Sequence, residues 1–541
     1  MTNERTSGRI SCIVLGIVFL FACGLAYEPL YHIARGSLAY SIIPQDDFYY
    51  YYLTAKHFAS SGFSSFDGIV PTNGYHPLWM LLLAGLSFIA HGNDGATFVL
   101  IEVVQVLSAV ATAALTLRLF RRLYGEQSWV PAISLFVSLL LTVLVFLSME
   151  TVVVIPILLL FSLTVLRILD TSSDARNALY CGLIGTLTVF ARLDTLIAVG
   201  IVFLLLFFYR VERKKIISFL AGLSPIAAYF ILNKILFGGW LPVSAQVKEL
   251  GSGLHFSLLP ITVIFTPRGS IYFLLTVIGF VLTLRGLRRS DTHSGVRFLL
   301  FAFPLLFALV LALRLSWPAY VWYFFPFPIS AGAGLLEIRG LLRQRGQALV
   351  DRFSTIALVL VLCVAAFVLY KDIPGLTTQL NLDESQTRAQ PNIYIHALGI
   401  KPFTDLHPGR YAMGDRAGLT AFLTGQPMLQ LEGLAADQTL VDSIRARADL
   451  LSVLKKYGVQ YYIVSYPLNE FHEHDSHWDL LEPHTQQALP WMPLMQGRFY
   501  APEVFRFPLP VGARIAPRDS STWVTRILDI SGAREDSVEG K

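Results

Sequence analysis

The sequence predicts a multi-pass α-helical membrane protein with a soluble α/β domain at its C-terminal end, and three observations carry that reading. Of 541 residues, 54% are hydrophobic and only 15% charged, where a soluble domain carries about 25% charged residues. Apolar runs recur from residue 11 to residue 371 and then stop. Beyond residue 372 Asp, Glu, Arg, His, Gln and Pro become common, and no run is long enough to span a bilayer. The expected domains are therefore 1–371 in the membrane and 372–541 outside it, with an exterior loop over 31–96.

The first element, SCIVLGIVFLFACGLAY, follows Arg5 and Arg9 and is too long for the apolar core of a signal peptide. An uncleaved first helix with its basic flank in the cytoplasm is the expectation. Later basic loops mark the same side: RLFRRLYGE (118–126), RILDTSSDARN (167–177), YRVERKK (209–215), LRGLRRSDTHSGVR (284–297) and IRGLLRQRGQ (338–347). Between them lie apolar hairpins broken at SMET (148–151), ARLDT (191–195), the 238–270 region and LRLSWPAY (313–320), which must then face the exterior. The spans follow as 11–30, 97–117, 129–147, 151–169, 178–190, 195–209, 216–236, 271–285, 296–313, 320–337 and 353–371. The run 77–90 is 14 residues, short of the roughly 20 a spanning helix needs, and is assigned to the interface. That makes about 11 transmembrane helices, with the N-terminus inside and the C-terminal domain outside.

Cys12, Cys23, Cys181 and Cys363 all fall in apolar runs, so the soluble domain has no disulfide framework or thiolate metal site. The net charge of +5 comes largely from loops beside the membrane and is no nucleic-acid signal.

The polar residues left over gather on the exterior face. PQDDFYYYYLTAKHF (44–58) sets Asp46 and Asp47 before four tyrosines. One acid suits the cap of the helix that follows, and Asp47 sits closer to that helix; the other, which this makes Asp46, is a solvated loop residue, a general base or a cation ligand. TNGYHP reads as a tight turn in which Asn-Gly supplies positive φ and Pro77 starts a helix. Asn73, Tyr75, His76 and Trp79 line either a sugar site or an interfacial aromatic belt. Glu150 is a helix-cap carboxylate or a second acid. Arg192 and Asp194 are an ion pair, or Arg192 binds a phosphate. Lys248, Arg268 and Arg314 are each candidate phosphate partners or headgroup contacts. The aromatic run around Tyr323 (317–328) is packing first and a lipid-tail wall second.

DDFYYYYLTAKHFASSGFSSFDGIVPTNGYHPLW resembles the first exterior loop of polytopic C-type (GT-C fold) glycosyltransferases, nearest to RgtA/B/C/D-like and arabinofuranosyltransferase-like members. SMET, ARLDTL, FGGWLPVSAQVK, TPRGSIYFL and YVWYFFP follow in order, so the likeness covers most of 1–371. The resemblance implies a polyprenyl-phosphate-linked sugar donor, a glycan, lipid or protein acceptor, and an exterior acidic residue, Asp46 or Asp47, as catalytic base. Asn73, Tyr75, His76, Glu150, Arg192, Asp194, Lys248, Arg268, Arg314 and Tyr323 are then candidates for substrate binding. No cofactor is specified; for a divalent cation the ligands would be Asp46, Asp47 and Glu150. A flippase would need polar residues along its whole path and often internal repeats, and a non-catalytic assembly partner would not need the acidic pair.

In the C-terminal part RYAMGDRAGLTAFLTGQPMLQLEGL (410–434) reads strand, turn, helix, strand, and 448–466 reads helix then strand, hence a small α/β domain that covers the site or binds acceptor. GDRAG lacks the glycine spacing of a phosphate loop. FHEHDSH (471–477) is a solvated loop or a metal site.

Overall fold

The computed structural model describes residues 2–36, 46–127, 129–170, 174–251, 256–287, 292–343, 392–467, 477–484, 492–508 and 523–535. Among the described residues thirteen helices build the first part: α1 Thr2–Ala34, α2 Asp46–Ser61, α3 Pro77–Ile89, α4 Asp94–Tyr124, α5 Trp129–Val145, α6 Thr151–Leu169, α7 Ala175–Ala191, α8 Leu196–Phe208, α9 Arg213–Phe237, α10 Val243–Lys248, α11 Pro267–Leu287, α12 Thr292–Arg314 and α13 Pro326–Arg343. Among the described residues seven helices are long and apolar enough to cross a membrane, and Pro77–Ile89, Trp129–Val145 and Leu193–Phe208 are shorter apolar ones. Ten of the predicted spans coincide with helices α1, α4 to α9 and α11 to α13. The eleventh, 353–371, lies outside the described residues, as do Cys363 and 471–476 of the histidine-rich stretch.

One boundary and one turn differ from the sequence reading, and each has a local cause. The span expected over 320–337 falls within the candidate crossing Val321–Leu342, but its α-helix begins only at Pro326, which takes the first helical position; Val321–Phe324 before it forms a 3-10 turn. In TNGYHP, Gly74 is not among the residues with positive φ. A Cβ there would collide with the carbonyl oxygen of Leu434, so glycine is needed for close approach and not for turn geometry. Pro77 does start α3.

The bundle is apolar through its middle, where α7 and α9 touch backbone to backbone at Gly182 and Gly222. Helix α2 lies across its end with Phe48, Tyr49 and Tyr52 fully buried. An aromatic layer of Phe48, Tyr52, Phe98 and Phe422 seals it from both sides, with ring centroids 5.0 to 6.1 Å apart where they meet.

Phe422 belongs to the C-terminal domain. That domain contains α14 Asn392–Leu406, β1 Tyr411–Met413, α15 Ala417–Thr424, β2 Met428–Gln430, α16 Gln438–Arg445, α17 Leu450–Lys456, β3 Tyr461–Pro467, β4 His477–Glu482, β5 Met495–Tyr500, β6 Glu503–Pro508, β7 Trp523–Asp529 and β8 Arg534–Glu535. One sheet runs β2-β1-β3-β7-β6, with β2, β1 and β3 parallel and β7 and β6 antiparallel; the other runs β4-β5-β8. The strand–turn–helix–strand reading of 410–434 holds. His477, the described member of the histidine-rich stretch, stands in β4 against Tyr500.

Candidate active site

Helix α2 starts at Asp46, so both acids occupy its first turn, where carboxylates favour the helix dipole. They then part company. The Asp46 carboxylate accepts the backbone N–H of Leu419 (2.7 Å) and Gly418 (3.3 Å), the first turn of α15 in the other domain. It caps a helix some 370 residues away. Gly418 lies so close that a Cβ would stand 2.5 Å from the Asp46 carbonyl oxygen. Burial pushes the Asp46 carboxyl up to about 7, against the opposing effect of hydrogen bonds from Tyr50 and Leu419. Asp47 is likewise raised by burial, and the charge nearest in effect is Lys248, which works the other way.

From Lys248 a chain of polar side chains runs inward. Its ammonium, at the end of α10, donates to the Tyr323 hydroxyl at 2.9 Å. The Tyr323 ring lies under the Arg192 guanidinium, 4.0 Å from its centroid. Arg192 is 1% exposed and held by two carboxylates: Asp194, with Nε–Oδ2 2.9 Å and Nη2–Oδ2 2.8 Å, and Glu150, on Nη1. The Tyr51 hydroxyl reaches the other Glu150 oxygen at 3.4 Å. His76 accepts the backbone N–H of Leu193 at 3.3 Å; burial and the charges of Arg192 and Lys248 hold it well below its ordinary range, so it is neutral.

Beside this chain opens an apolar groove of about 510 Å³. Leu140, Val143, Tyr272 and Phe327 line it, with Val321 and Phe324 of the 3-10 turn and Arg268 as its one charged residue. The turn thus gives Tyr323 to the polar chain and its neighbours to the groove.

The sequence candidates fall into two groups. Asp47, His76, Glu150, Arg192, Asp194, Lys248 and Tyr323 come together, with Asp46 at the edge and Arg268 in the adjoining groove. Asn73 stands apart: its Oδ1 accepts Val243 N–H at 3.0 Å and its amide reaches Asn233 at 3.3 Å, both joining the turn to α9 and α10. Tyr75 bonds the Ser64 hydroxyl at 2.8 Å. Arg314 is half exposed and pairs with Glu249 at 2.6 Å. Glu150 occupies the N-cap position of α6 without a side-chain capping bond, because Arg192 takes its carboxylate. Asp46, Asp47 and Glu150 form no joint ligand set; among the described residues no group of three His, Cys, Asp or Glu is arranged to hold a metal ion.

Sequence reasoning missed Tyr51, hidden within its tyrosine run, and the GDRAG turn. Asp415 in that turn raises Asp47, and Arg416 takes a left-handed backbone at φ 72°. A non-glycine residue in that conformation leaves no mark in the sequence.

No family model matches the sequence, and no curated protein matches it. Among solved structures, ArnT from Cupriavidus metallidurans bound to undecaprenyl phosphate is similar over 97% of this chain and 99% of that one, at 13% identity and a TM-score of 0.48. The archaeal oligosaccharyltransferase AglB from Archaeoglobus fulgidus, in complex with an inhibitory peptide and a dolichol-phosphate, is similar over 84% of this chain and 69% of that one, at 12% identity and a TM-score of 0.47. Both likenesses are remote.

Proposed function

We propose that the chain is an integral membrane glycosyltransferase that moves one sugar from a polyprenyl-phosphate donor to an envelope glycan, lipid or protein acceptor. Its N-terminus is in the cytoplasm of a cell whose plasma (inner) membrane it spans, and its C-terminal domain is exterior. One observation carries the reading: a charged chain ending in Asp47 and Lys248 shares a single turn with an apolar groove headed by Arg268. A ligand with an isoprenoid tail and a phosphate-linked sugar needs both at once.

Asp47 is the base. Asp46 is committed to Gly418 and Leu419, whereas Asp47 has no helix to cap besides its own. The acceptor hydroxyl gives its proton to Asp47 while its oxygen forms the bond to the anomeric carbon. The bond from that carbon to the phosphate oxygen breaks, with its electron pair leaving on the phosphate. Direct displacement inverts the anomeric centre. Lys248 and Arg268 meet the developing phosphate charge. Arg192, saturated by Glu150 and Asp194, holds the frame and takes no phosphate.

The test is transfer by the purified full-length protein in liposomes, with a panel of synthetic polyprenyl-phosphate sugars and envelope extract as acceptor. Transfer that Asp47→Asn abolishes, and donor affinity that falls on removing the Lys248 or Arg268 charge, support the reading. Retention of wild-type transfer in Asp47→Asn removes Asp47 as the base, and absence of transfer by the wild-type protein removes the transferase reading.

A further inference from the structure

Glu102 lies on α4, within a helix long enough to span the membrane, 2% exposed, and nothing above assigns it a task. Charges at that depth are costly and persist where something uses them. Among the described residues Glu102 has neither a cation nor a hydrogen-bond donor for its carboxyl, and its Oε2 is buried without a partner. One turn further along the same face is Gln105, 0% exposed, whose Oε1 is also buried without a partner. Two bare acceptors cannot satisfy each other; a proton on one of them makes a donor–acceptor pair.

That face of α4 has one evident purpose. Gln105 Nε2 donates to the Ser148 hydroxyl at 2.8 Å, and the Ser108 hydroxyl donates to the Val152 carbonyl at 2.5 Å. Together they grip the turn that carries Glu150. Ser148 is held at φ 57°, a left-handed backbone that a non-glycine residue keeps only when its surroundings impose it. The Ser148 hydroxyl therefore depends on which way the Gln105 amide faces. An amide with an unsatisfied oxygen has little to choose between its two orientations.

We propose that Glu102 is a positioning residue: a neutral acid that donates to Oε1 of Gln105, fixes that amide, and so holds the Ser148 turn that presents Glu150 to Arg192. Residues three apart on a helix stand roughly 5–6 Å apart at Cβ, so rotation of the Glu102 side-chain end closes the pair while Gln105 keeps its bond to Ser148. The inference rests on the transferase reading only for its catalytic consequence; the bond itself does not.

Two measurements on the full-length protein in lipid nanodiscs test it. Infrared difference spectra of wild type against Glu102→Gln, at neutral pH, are expected to show one protonated carboxylic acid missing from the variant. A lost carboxylate band in its place overturns the proposal. In the transfer assay Glu102→Gln, which keeps a neutral donor, is expected within about twofold of wild type. Glu102→Leu and Gln105→Leu should lose roughly tenfold to a hundredfold in kcat with KM unchanged, the scale of a small misplacement at the site. Glu102→Gln falling as far as Glu102→Leu overturns it too. Should the leucine variants fail to fold, the infrared result and the glutamine variant still decide. If wild type transfers no sugar, the enzyme reading fails while the spectra still judge this bond.

Discussion

Asp46 and Asp47 are neighbours in sequence and stand in different worlds. Asp47 looks into the membrane half, toward Lys248 and the chain through Tyr323 to Arg192. Asp46 looks out, and spends its oxygens on two peptide N–H groups of the other domain. The inner surface is built from side chains that compensate each other's charge. The outer one is built from backbone contacts, at Gly418 on Asp46 and Gly74 on Leu434, that leave no space for a Cβ. Identical residue types one position apart therefore carry different roles, and the role is set by what arrives from far away in the chain.

The sharpest way to break this contrast is to neutralise each acid in turn. Asp47→Asn should cost transfer about 10²–10⁴-fold, the usual scale of general-base catalysis, without lowering the melting temperature. Asp46→Asn should do the converse, with reduced protection from hydrogen exchange in α15 and a smaller loss of rate. If the two variants exchange these phenotypes, the assignment is reversed.

Next in size is the buried pair. Glu150→Gln leaves Arg192 with a single carboxylate in a desolvated position, and Arg192→Leu leaves two acids unpaired; each should destabilise by about 3–5 kcal/mol in thermal or denaturant unfolding. Gly418→Val tests the backbone contact on the other side. Overpacking of this kind typically costs about 1–3 kcal/mol, and faster proteolysis between the domains would report it.

The pH dependence has a definite sign. The Asp46 carboxyl is raised from 3.8 to about 7 and that of Glu482 from 4.5 to about 7, both by burial. The folded protein thus binds more protons than the unfolded chain between those values. Their contribution to stability is complete below about pH 4 and is lost as pH rises through about 7. Melting temperatures across that window should fall with pH, and Asp46→Asn should flatten part of the slope. Smallest of all, Arg314→Ala removes an exposed pair and should change stability by no more than about 1 kcal/mol, with transfer unaffected.

What the sequence made legible followed from local pattern. Ten helices could be placed because each is an uninterrupted apolar run, and seven of them are long and apolar enough to cross a membrane; the α/β alternation of 410–466 is likewise short-range. The convergence of Glu150, Arg192, Lys248 and Tyr323 could be guessed because loop charge puts their segments on one face. The part each residue plays in it could not. Whether Arg192 meets phosphate or carboxylate depends on Glu150, 42 residues before it. Gly74 read as a turn glycine because Asn-Gly usually is one; its real constraint is a carbonyl from β2's far side, at Leu434. Asn73 and Tyr75 looked like sugar ligands because amides and aromatics serve in both roles, and here they brace α9, α10 and the loop itself.

The bond between Asp46 and Leu419 also sets a timetable for biosynthesis. Its partners are 373 residues apart, so Asp46 enters the membrane long before the helix it caps has been made. At about 5–20 residues per second the ribosome needs roughly 20–75 s to bridge that gap. Through that interval the helix of tyrosines has no outer cover, and its aromatic face lies open to lipid, to other chains and to chaperones. A nascent chain cut short between residue 371 and residue 417 would hold every apolar run and still lack the helix that Asp46 caps.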